Sequence, residues 1–234
     1  MDMKALLNKE FKLCLHPTVF IYLGLVLMLL IPSYPYLVAC FFLCNAIFFT
    51  FQTSRENSDA MYTAMLPVSK AQAVKAKCLF AVIVQIIDLV LMAGIMALGN
   101  LFLNPLNPGG TDRSISFFAF AIVLYAIFNL IFFTSFYKTG YKAGSSFLKG
   151  AIGVWIWIMV VEGLMIASHA VIESGSAEIP FFRFLHEYVD VWPATNGAWM
   201  VQMILLGAGI AIYIIFTILA VRISIRHFEK VDIT

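Results

Sequence analysis

Residues Thr18–Gln52 read TVFIYLGLVLMLLIPSYPYLVACFFLCNAIFFTFQ, two apolar runs split by Pro32-Ser-Tyr-Pro35. A membrane crossing takes about 20 apolar residues, fewer where the flanks can snorkel. The stretch is either one long kinked helix or two short spans joined by a tight turn. Proline lacks the N–H that a helix interior needs and clashes with the preceding turn, so a Pro-x-x-Pro break favours the turn. LVAC at Leu37–Cys40 has the outline of a lipoprotein cleavage box. Asp2 and Glu10 stand where such a leader is basic, and FFLCNAIFF continues the apolar run, so LVAC reads as part of a span.

Reading outward from this stretch gives six spans: 18–31, 37–52, 78–103, 115–136, 150–172 and 198–221. Charge separates six from five. With six spans and both termini cytoplasmic, thirteen of the 15 basic residues fall inside, all but Arg113 and Arg183. A five-span chain would strand lysines outside, against the positive-inside rule. The outer segments carry Asp112, Glu173, Glu178, Glu187 and Asp190.

Composition agrees. The chain has 234 residues, 62% hydrophobic and 12% charged, with a mean hydropathy of +0.93. Charged residues usually supply about a quarter of a soluble domain, so lipid is the solvent for much of this chain. No basic patch of the nucleic-acid-binding kind is present. Cys14, Cys40, Cys44 and Cys78 all lie away from the outer segments, which argues against a disulfide framework.

Residues 1–17 predict an amphipathic interfacial helix, with Met3, Leu6, Leu7, Phe11, Cys14 and Leu15 on one face, stopped by His16-Pro17. Lys4, Asn8, Lys9 and Lys12 fall largely on the other face. Within the extracellular loop 173–197, Ile179–Asp190 predicts a short re-entrant or interfacial helix anchored by Phe181, Phe182, Tyr188 and Trp192.

The longest polar interruption is the cytosolic loop 54–77. Ser58 and Asp59 suit a helix start, and Ala60, Met61, Ala64 and Met65 make a narrow apolar stripe. Leu66-Pro67 ends that helix, and Ser69-Lys-Ala-Gln72 forms a capping box for the next. Between its cap and Pro67 the short helix has no basic residue, so it reads as a docking element rather than a membrane-surface helix.

Glu56-Asn57 before this helix and Leu66-Pro67-Val68-Ser69 after it resemble the loop between spans two and three of the type-two ABC exporter permeases. The architecture is similar along the whole chain; the local motif covers about 55–77. The resemblance implies an all-α membrane subunit whose loop is a coupling helix seated in a separate cytosolic ABC ATPase subunit, with Glu56, Asp59, Met61, Tyr62, Met65 and Leu66 at the contact. It implies two ATPase copies, ATP and Mg bound by the ATPase and not by this chain, and a bacterial inner-membrane setting. A homodimer is the simplest assembly, with a second permease chain as the alternative. It implies export of a hydrophobic or amphipathic cargo, such as a toxin or antimicrobial peptide. The sequence has no G-x-x-x-x-G-K-[ST] motif, in keeping with a non-catalytic subunit.

Asp88 and Glu162 fall about 15 and 18 Å along spans three and five, near mid-membrane. Ionisable groups at such depth mark function by default, or else join helices as polar glue. Asn129, Gln85 and His169 are their candidate partners, and Asp88, Asn129 and Glu162 form the candidate cargo path. The competing function is a proton-coupled secondary carrier or small channel using Asp88 and Glu162. His169 and His186 lack ligands at useful local spacing, so no metal site is predicted, and no catalytic residues are assigned.

Overall fold

A computed structural model describes residues 3–57, 62–63, 65, 67–103, 107–140, 142–174, 179–191 and 196–230. The described residues form helices and no strands. In chain order these are α1 (Met3–Lys9, continued by a π turn Glu10–Cys14), α2 (Thr18–Gly24, continued as a 3-10 helix Leu25–Leu30), α3 (Leu37–Glu56), α4 (Lys70–Phe102), α5 (Ile115–Lys138), α6 (Ala143–Glu173), α7 (Pro180–Phe184, with a π turn Leu185–Val189) and α8 (Asn196–Glu229).

Five of these, α3, α4, α5, α6 and α8, are long and apolar enough to cross a membrane. The pair Met3–Cys14 and Thr18–Leu30, bent by 88°, raises the number to six when counted as one broken span. The bend falls at His16-Pro17, where the sequence predicts the stop. The 3-10 half stretches the 13 residues Thr18–Leu30 to about 22 Å, because 3-10 turns rise ~2.0 Å per residue against ~1.5 Å for α.

The Pro32–Pro35 break is a chain reversal. Ser33 adopts φ 58°, and α2 lies back along α3. His16 at the start of α2 stacks on Phe49 near the end of α3, and Tyr22 stacks between Phe42 and Phe49. One long kinked helix could not make these contacts.

α5 is apolar all round because it is the inner element, packed by α6, α8 and α3. Phe128, Phe132, Phe133 and Phe136 on α5 stack with one another and with Phe51 of α3. At α4 the predicted capping box is complete. Gln72 N–H donates to Ser69 Oγ at 3.2 Å and Ser69 N–H to Gln72 Oε1 at 3.0 Å. The cap, not the onset of hydropathy at Cys78, starts this 33-residue helix. α6 likewise starts ahead of its apolar run, at Ala143 rather than Gly150, though without a side-chain cap.

Candidate functional site

Three polar clusters lie along the bundle, at the lysine-rich end, midway, and at the opposite end.

At the lysine-rich end, α3 closes with Gln52 donating to Glu56 at 2.9 Å. Tyr62 and Met65 are exposed. Tyr62 and Thr63 are helical, while Asp59, Met61 and Leu66 of the predicted contact lie outside the described residues. Lys9 Nζ donates to Thr63 Oγ1 at 2.9 Å and sits 3.0 Å from Glu10. Glu10 in turn is 3.7 Å from Lys77 Nζ. Lys9 is therefore buried, not on the polar face that the amphipathic pattern assigned to it. The cluster ties α1, the loop at Thr63 and α4 together.

Midway, Gln85 of α4 and Asn129 of α5 exchange two amide hydrogen bonds, at 2.8 and 3.0 Å. Tyr213 of α8 donates to Gln85 at 2.7 Å. Asp88 accepts from Tyr125 at 2.5 Å rather than from either amide. All but Tyr213 are fully buried within the chain, and these groups join α4, α5 and α8.

At the opposite end, Glu162 caps a helix it does not belong to. Its Oε1 accepts from Leu37 N–H, the first residue of α3, at 2.8 Å, and its Oε2 from Thr111 N–H at 2.6 Å. Counted from Ala143, Glu162 lies about 28 Å along a helix of about 46 Å, some three turns short of its Glu173 end. Two glycines make room. A Cβ on Gly110 would sit 2.0 Å from Glu162 Oε2, and one on Gly109 would sit 2.1 Å from the Ser33 carbonyl. The segment 107–114 thus threads between the Ser33 turn and Glu162.

Next along that segment, Arg113 donates from Nε to Asn100 Oδ1 at 3.0 Å and from Nη1 to Tyr36 Oη at 3.0 Å and the Leu29 carbonyl at 3.3 Å. It satisfies a carbonyl left open at the 3-10 end of α2. Asp112 Oδ1 accepts from Asn107 N–H at 2.5 Å, and Asp112 N–H donates to Asp190 Oδ1 at 2.7 Å. Asp190 lies 3.3 Å from His169 Nε2, and His186 packs edge-on to His169. Burial, then the neighbouring Asp190 carboxylate, push the Asp112 carboxyl up to about 7.

The family profile described as ABC-2 family transporter protein matches residues 5–229. The chain belongs to that family. No curated protein and no solved structure matches it. It is accordingly a multi-pass ABC-2 membrane subunit, of a family that normally pairs with an ATPase subunit.

In this permease the site residues named from sequence fall into all three clusters. Glu56, Tyr62 and Met65 lie at the lysine-rich end, Asp88 and Asn129 midway, and Glu162 at the far end. The structure does not bring Asp88 and Glu162 together. Sequence reasoning missed the segment Asn107–Ser114, NPGGTDRS, as an organiser. Its Pro-Gly-Gly followed by Thr-Asp-Arg was the available signal, since paired glycines mark close backbone approach.

Proposed function

We propose that this chain is the permease subunit of an ATP-driven exporter, with its lysine-rich end in the cytosol of a bacterial cell. The observation that carries the reading is the family match over residues 5–229 in a sequence without a nucleotide-binding motif of its own. A separate ATPase subunit, in two copies, binds ATP and Mg. It docks on the loop between α3 and α4, where Glu56, Asp59, Met61, Tyr62, Met65 and Leu66 form the contact.

Closure of the ATPases pulls on that loop. Thr63 passes the displacement through Lys9 and Glu10 to Lys77, and the Ser69 cap passes it directly into α4. Because α4 is continuous from Lys70 to Phe102, the displacement reaches Asn100 and its partner Arg113 at the far end. A second copy of the chain completes the cargo path. Only 11% of the most apolar window of α8 is buried within the chain, against 56% for α5, which leaves apolar surface for lipid and for that copy. The cargo is hydrophobic or amphipathic, of the toxin or antimicrobial-peptide class.

The test is co-purification with an ATPase subunit, then transport in vesicles. Met65→Asp should abolish docking without lowering thermal stability, because Met65 is 74% exposed. Retained docking would remove the loop from the contact. Transport that ignores ATP and collapses with the proton gradient would replace the exporter with a proton-coupled carrier.

A further inference from the structure

We propose that Asp112, His169 and Asp190 form a zinc site at the end of the permease opposite its lysines. The three residues come from the segment before α5, from α6 and from the end of α7. One ligand atom from each lies within 4.8 Å of the other two. Asp112 and Asp190 are 0% and 1% exposed, yet Asp112 Oδ2, Asp190 Oδ2 and His169 Nε2 have no hydrogen-bond partner. Asp190 Oδ2 and His169 Nε2 meet only each other, as an ion pair at 3.3 Å, and Asp112 Oδ2 beside them has no partner at all, a costly state for a buried polar atom that a shared partner would relieve.

The other carboxylate oxygens are already committed. Asp112 Oδ1 is held by Asn107 N–H and Asp190 Oδ1 by Asp112 N–H. These bonds fix both carboxylates so that their open oxygens converge, as the surroundings of metal ligands do.

The donor set selects the ion. His169 Nε2 and Asp190 Oδ2 are 3.3 Å apart without hydrogen-bond alignment. Two ligands on a tetrahedral zinc, each bonded at ~2.0–2.2 Å, stand about 3.4 Å from each other. Calcium takes about 6–8 oxygen ligands and magnesium keeps to oxygen and water, whereas an imidazole with two carboxylates suits zinc. A dication also neutralises two carboxylates that otherwise face each other out of water. The fourth position stays open beside His186, whose Nδ1 is likewise buried and without a partner. The ion would pin the 107–114 segment, α6 and α7 to one another.

The experiment uses the full chain, stripped with a chelator in detergent and titrated with zinc chloride against a competing chromophoric chelator. One zinc per chain is expected. Asp190→Asn and His169→Ala should each weaken binding more than ~100-fold, since loss of even an outer-shell partner costs about 10–100-fold. His227→Ala, at the other end of α8, should bind as the wild type does. Zinc should raise the unfolding temperature of the wild type and of His227→Ala but not of His169→Ala. X-ray absorption at the zinc edge of the wild type gives a readout that needs no variant. Nitrogen and oxygen ligands without sulfur are expected. Cysteine sulfur at the zinc, affinity unchanged in both ligand variants, or no stoichiometric binding by the wild type would overturn the site.

Discussion

Replacing Glu162 tests the far-end clasp most sharply, because its two oxygens serve two different segments. Oε1 holds Leu37 N–H and Oε2 holds Thr111 N–H, at 2.8 and 2.6 Å. Glu162→Gln keeps one oxygen and turns an NH2 group toward the other donor. One buried N–H then loses its acceptor, at a cost of about 1–3 kcal/mol. Glu162→Ala orphans both, for about 2–6 kcal/mol on the same basis. Gly110 supplies the cross-check. In Gly110→Ala the new Cβ meets Glu162 Oε2 at 2.0 Å, whereas the nearest other heavy atom outside that side chain is Pro35 Cα at 3.5 Å, an ordinary contact. The glycine substitution should therefore damage the wild type more than it damages Glu162→Ala. The non-additivity should be of order 0.5–3 kcal/mol, the usual range for residues in contact. Equilibrium unfolding in mixed micelles of increasing SDS content, followed by tryptophan fluorescence, reads all five proteins. Glu162→Gln matching the wild type, or a double variant equal to the sum of the singles, would refute the two-donor clasp.

Three further outcomes follow from the other clusters. Glu10→Ala removes the carboxylate that Lys9 and Lys77 share; it should lower stability in the same unfolding assay, by less than the ~3–5 kcal/mol that a wholly uncompensated buried charge costs, because Lys9 keeps Thr63. Asn129→Ala breaks the amide exchange with Gln85, but interhelical hydrogen bonds in membrane proteins average only ~0.6 kcal/mol, so the loss should stay below about 2 kcal/mol. Cys14, Cys40, Cys44 and Cys78 are all buried thiols outside any disulfide, so a maleimide should label none of them until the chain is unfolded in SDS, as mass spectrometry would show.

What the sequence made legible was local. Pro32 and Pro35, His16-Pro17 and the Ser69–Gln72 box each act on the backbone within a few residues, and each falls where the structure breaks or starts a helix. The apolar runs gave the helices but not their ends, because hydropathy marks contact with lipid while caps and turns mark helix boundaries. α6 shows the difference: it begins at Ala143, seven residues before the apolar run starts at Gly150. The partners of polar groups were illegible for another reason. Glu162 meets Leu37 across 125 positions, Asp88 meets Tyr125 across 37, and Lys9 meets Thr63 across 54. Helical periodicity put Lys9 on a polar face, but a lysine whose neighbour is an acid can be buried as part of a pair. Asp112, His169 and Asp190 carry no metal-ligand spacing in the chain, and only the return of α7 onto α6 brings them together.

The 33 residues of α4 make a rod about 50 Å long. Gln85 and Asp88, where α5 and α8 grip it, sit about 23 and 27 Å from its Lys70 end, almost at its midpoint. Stiff arms of nearly equal length on either side of a fulcrum make a seesaw with a gain close to one. If α4 tilts as one body about that grip, a sideways stroke at Lys70 returns at Asn100 with similar amplitude and the opposite sign. A pull on α4 at its Lys70 end would then push its far end the other way, against the resistance of Arg113 and the glycine-threaded segment beside it.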